Sequence, residues 1–170
     1  MSERSDSIYR VGADASEKFD YFITGVAGAL FAYIAQTYAP KKFEFSSAVL
    51  EPIALVFLAG AFFCGVRRIE CVNTAKRLNH QMIDSSEKAG TLLKSLSEAS
   101  GPYMNTETGE VSDRSQAQQR YERYRERATQ ADTLLKRVAS HAQAYYDSRF
   151  RLLVGGFACI FLAKVLSPYV

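Results

Sequence analysis

The chain has 170 residues, 48% apolar, 12% aromatic and 23% charged, with a formal net charge of +3. Taken alone, these averages describe an ordinary single soluble domain, and they mislead. The odd count of three cysteines, Cys64, Cys71 and Cys159, none in C-x-x-C spacing, excludes a disulfide framework or a zinc site and reads as small apolar free thiols.

Charge is spread unevenly along the chain. The first 20 residues carry three basic and five acidic side chains, unlike the short positive start of a cleaved leader, and read as a cytosolic N-terminal segment. From Tyr21 to Pro40 there follow 20 residues without Lys, Arg, Asp or Glu, and from Pro52 to Val66 another 15. A bilayer core of roughly 30 Å is crossed by about 20 mostly apolar helical residues. The predicted spans are therefore 21–40 and 46–66, a hairpin over 21–66, with a third at 152–170 that carries only Lys164. Glu51 before Pro52 suits a helix first turn, or alternatively a ring of carboxylates at an outer pore mouth. Thr24, Gln36 and Thr37 are the other polar candidates for lining a pore.

Lys and Arg near span ends number eleven on one side, counting Arg68 and Arg149, against Lys41, Lys42 and Lys164 on the other. Cationic flanks stay cytoplasmic, so the N-terminus and the block between the second and third runs are predicted inside and the C-terminus outside. Small residues recur at helical spacing, most clearly Gly155, Cys159 and Ala163, a stripe suited to close helix approach within the chain or at an oligomer interface.

Residues 67–151 hold 15 Lys or Arg, 11 Asp or Glu and both histidines. Steps of four and three mark one seam at Cys71, Ala75, Leu78, Met82, Ser85, Ala89, Leu92 and Leu96. They mark another at Ala117, Tyr121, Tyr124, Ala128, Ala131, Leu135, Val138, Ala142 and Tyr145. Gly101 and Pro102 stop the first helix, Tyr103 to Val111 reads as a short hairpin in a tip at 99–112, and Asp113 is the predicted N-cap of the second helix. The expected fold is an all-α membrane protein: three transmembrane helices, with a long antiparallel cytosolic coiled-coil hairpin between the second and third.

Catalytic chemistry has no foothold. His80 and His141 lack ligand-spaced partners, so neither an enzyme nor a cofactor is expected. Arg114, Arg120, Arg123 and Arg127 form a basic stripe, read either as a solvated face paired with Glu122 and Glu126 or as a phosphate site for a nucleotide or single-stranded oligonucleotide. A cytosolic protein partner suits the same face.

The layout, a membrane hairpin at 21–66 flowing into cytosolic helices from Arg67, resembles the small SLATT-type membrane effectors and the Hailong-type channel of bacterial anti-phage systems, with 152–170 added as a third span. The resemblance implies a homo-oligomeric inner-membrane pore gated by a nucleotide-derived signal. The alternative is a non-conducting membrane scaffold whose coiled coil docks a protein.

Overall fold

The computed structural model describes residues 3–37, 49–98, 103–104 and 111–166, with side chains at 14–37, 49–97 and 113–166. The described chain is helical: α1 (Glu3–Thr37), α2 (Leu50–Glu98) and α3 (Arg114–Leu166), with two short strands, β1 (Tyr103–Met104) and β2 (Val111–Ser112), between α2 and α3. From Glu3 onward the N-terminal segment is continuous with the first apolar run inside α1. Helix α2 begins at Leu50, so Glu51 lies in its first turn and Pro52 sits where a missing N–H costs no hydrogen bond.

The chain divides into two compact units, residues 1–71 with 141–170 and residues 72–140. These boundaries fall inside the predicted cytosolic block of 67–151. Arg68 and Arg149 pack with the apolar helices, for a reason given by their partners below.

The first unit is built on small residues. Ala27, Leu58, Ala61 and Leu153, from all three helices, form its centre, with Ile23, Leu30, Ile34, Leu152 and Ile160 around them. At Gly156 an added Cβ would lie 3.2 Å from Leu58, so α2 and α3 approach as closely as side chains allow. The outside of this unit is also apolar: Phe22, Val56 and Phe161 are 65%, 72% and 68% exposed. One helix among the described residues, α2, is long and apolar enough to cross a membrane, and only 22% of its apolar window is covered by protein. A core helix of a soluble domain would be mostly covered, so this apolar surface calls for a lipid or protein neighbour. The described parts of the other two runs, 21–37 and 152–166, do not reach that length and hydropathy, and residues 38–40 and 167–170 lie outside the described residues.

In the second unit every predicted seam position from Val72 to Ser140 is buried or half-buried. Ser85, Ala89, Leu92, Ala117 and Ala131 are the most enclosed. The strands pair antiparallel, Tyr103 with Ser112 and Met104 with Val111, while the turn around Gly109 lies outside the described residues. Asp113 caps α3. Its carbonyl accepts from the Ala117 amide at 3.0 Å, and its carboxylate accepts from the Arg114 amide at 2.7 Å and the Ser115 hydroxyl at 3.0 Å.

Candidate functional site: a buried charge clamp in the first unit

One carboxylate draws the three helices of the first unit together. Asp20 on α1 is 4% exposed, directly before the charge-free run. Its Oδ2 accepts from Arg68 Nε of α2 at 2.7 Å, and its Oδ1 accepts from Arg149 Nη2 of α3 at 2.7 Å. Arg149 is 2% exposed. Its Nη1 lies 3.4 Å from the Asp20 carbonyl and 3.5 Å from the Thr24 hydroxyl, which itself donates to that carbonyl at 2.7 Å. Arg68 Nη1 donates to the Ala142 carbonyl at 3.2 Å.

The cluster holds two guanidinium charges against one carboxylate. The Tyr146 ring disperses part of the excess, with its centroid 4.5 Å from the Arg68 guanidinium carbon and 5.5 Å from that of Arg149. Among the described residues no buried side-chain nitrogen or oxygen lacks a partner. Buried charges are tolerated only in such a satisfied arrangement, and their value lies more in specifying geometry than in net stabilisation. Removing one member, by contrast, strands the others.

Local sequence explains why the clamp closes here. Gly65, one turn before Arg68, leaves room for Thr24; a Cβ at Gly65 would stand 2.9 Å from Thr24 Cγ2, with the hydroxyl closer still. Exposed aromatic residues flank Asp20 and Arg149 along their helices: Phe19, Tyr21 and Phe22 on α1 and Phe150 on α3 are 50% to 65% exposed. Aromatic side chains favour a membrane–water boundary. Neighbouring Arg67 turns outward, where hydrogen bonds to Glu70 and then Tyr145 raise its pKa above the ordinary arginine value.

In the sequence Arg68 and Arg149 stand out only through the charge asymmetry, and Asp20 does not stand out at all. All three are boundary charges, each within three residues of the end of an apolar run, and opposite charges at equal depth were the available signal.

Of the predicted pore candidates, Thr24 is turned into its own chain at 6% exposure. Gln36 and Thr37 are exposed at the far end of α1, where the Thr37 hydroxyl donates to the Tyr33 and Ile34 carbonyls at 3.0 and 3.2 Å. Glu51 is half-buried in the first turn of α2, the capping position. Thr24 thus belongs to the clamp, at a different level of α1 from Gln36 and Thr37. Of the small-residue stripe, Ala163 is 5% exposed, Cys159 is half-buried, and a Cβ at Gly155 would meet Phe57 of α2 at 3.4 Å. At least part of this stripe serves packing within the chain.

The four arginines of the basic stripe differ in their surroundings. Arg123 and Arg127 are exposed and make no ion pair among the described residues, while Glu126 is held by Gln130 at 3.2 Å. Arg120 is half-buried, and Arg114 donates to the Leu96 carbonyl at 3.3 Å near the tip. Among the described residues no three His, Cys, Asp or Glu side chains gather as a metal site. Comparison with protein-family models, with characterised proteins and with solved structures gives no match for this chain.

Proposed function

We propose that the chain is a three-span membrane protein that assembles as a homo-oligomeric ion channel or pore, with its second unit, an antiparallel coiled-coil hairpin in the cytosol, controlling opening. The observation that carries the reading is the inverted surface of the first unit: exposed phenylalanine, valine and leucine on the outside, a fully satisfied charge cluster within. Lipid covers the first and excludes water from the second. A single chain fills its own centre with Ala27, Leu58, Ala61 and Leu153, so conduction requires several copies.

Helices α2 and α3 supply residues to both units, and each brings one arginine to Asp20. A signal that shifts α2 against α3 then acts on a clamp with two discrete arrangements, closed on Asp20 or released from it. By the resemblance to bacterial anti-phage effectors we take such a signal to be a nucleotide or oligonucleotide bound by arginines of α3 and the membrane to be a bacterial inner membrane, and by the Lys and Arg asymmetry we take the N-terminus to be inside. The non-conducting scaffold is the alternative.

Expression in a bacterial host with a potential-sensitive dye separates the two. A channel released by Asp20→Ala depolarises the membrane and arrests growth. A scaffold leaves the potential unchanged for wild type and variant alike.

A further inference from the structure

The second unit has two chemically different flanks. On α2, Asn79, Ile83, Ser86, Gly90, Leu93 and Ser97 each follow a seam position by one residue, so they share one flank; all are exposed and none is charged, the charged member of this flank being Lys76, which follows Ala75 nearer the start of the unit. Gly90 stands mid-helix, where glycine weakens a helix, yet a Cβ there would meet nothing within 4 Å. Packing within the chain does not call for that glycine. The space above it belongs to an open hollow of about 420 Å³, which spans Met82 to Leu93 on α2 and Tyr121 to Asp132 on α3. It is a shallow trough between helices, shaped for a protruding side chain.

The opposite flank carries a matching protrusion. Arg120, Arg127 and Leu134 recur every seven residues and each precedes a seam position by one, whereas the hollow-lining residues Arg125, Thr129 and Asp132 each follow one. Ile83, Leu93 and Leu134, at 46%, 52% and 45% exposure, are the large exposed apolar side chains of this unit among the described residues: two on the receiving flank, one on the other. Charge matches as well. Glu87 on α2 and Arg127 on α3 are exposed, and neither makes an ion pair among the described residues. The two stretches of the hollow are equal in length and run in opposite directions, so Glu87 and Arg127 both sit at its mid-height, while Ile83 and Leu134 lie toward the same end.

We propose that this flank of α2, with Glu87 at its outer edge, receives the opposite flank of α3 from a second copy of the chain, with Leu134 set against Ile83 and Arg127 against Glu87. The inference rests on the homo-oligomeric reading and deepens it. Copies that share one orientation in a bilayer and close a ring of three or more meet through two different flanks, which is what these helices present.

The test co-expresses two full-length chains with different tags, both with Cys64, Cys71 and Cys159 changed to Ala, one carrying Ile83→Cys and the other Leu134→Cys. Membranes are treated with a short bis-maleimide, and oligomer mass is measured in detergent. A crosslinked pair containing both tags is expected, lost when Arg127→Glu is added to the Leu134→Cys chain and recovered when Glu87→Arg is added to its partner. An oligomeric mass without this crosslink, or an equally strong crosslink between two Ile83→Cys chains, overturns the assignment of flanks and leaves the homo-oligomer intact. A monomeric mass overturns both.

Discussion

Asp20 and Arg149 are separated by 129 positions in the chain and by 2.7 Å in the structure. The carboxylate that Arg149 holds is shared with Arg68, so one side chain of α1 fixes the positions of α2 and α3 at once.

Asp20→Asn leaves the buried Arg149 and the half-buried Arg68 without a counter-charge. Removing one partner of a buried ion pair costs about 3 to 5 kcal/mol, so the melting temperature of the purified protein in detergent should fall clearly. Replacing Arg149 by Met in the same chain removes one stranded charge and should recover part of the loss. An unchanged melting temperature for Asp20→Asn would show that the clamp carries no weight.

Gly65 and Thr24 test how tightly α1 and α2 meet beneath the clamp. Gly65→Ala drives a methyl group into Thr24 and should destabilise by about 1 to 3 kcal/mol, as overpacking does, with Thr24→Ala in the same chain relieving most of it. Gly25→Ala is the control: a Cβ there meets nothing within 4 Å, and helix propensity favours alanine by about 1 kcal/mol. Thermal unfolding in detergent reads all three.

Two alanines of α3 that look alike in the heptad pattern should respond differently. Ala131 is 3% exposed, and Ala131→Leu should destabilise by about 1 to 3 kcal/mol. Ala128 is half-buried and borders the open hollow, so Ala128→Leu should be tolerated within about 1 kcal/mol. Equal losses for both would mean that the hollow is filled, by the helices themselves or by a neighbouring copy.

This contrast marks the reach of the sequence. The seams, the Asp113 cap and the paired strands at the tip depend on neighbours within a few residues, and the order of residue types displays them directly. The clamp depends on contacts across 48 and 129 positions. Arg68 and Arg149 look like ordinary cytoplasmic flanks, and a lone aspartate before an apolar run resembles any polar boundary. Thr24 looked like a polar group needing a cavity because its glycine neighbour Gly65 lies on another helix.

The arginine stripe predicts anion binding with a salt signature. Contacts to phosphates release counterions, so affinity for a fluorescent single-stranded oligonucleotide should fall steeply as salt rises. Changing Arg120 and Arg123 to Gln, with Arg127 left for its contact to Glu87 of the second copy, should weaken saturable binding and flatten that dependence. Equal binding by both proteins, or none by either, would turn the search toward a protein partner.

The most direct measurement is electrical. The full-length protein, purified in detergent with its oligomer mass determined, is incorporated into a planar bilayer and recorded under voltage. The account predicts discrete conductance steps from the oligomer and a raised open fraction in Asp20→Ala, whose clamp is released. An oligomer of defined mass that passes no current, with or without that substitution, would contradict the channel reading and favour a membrane scaffold.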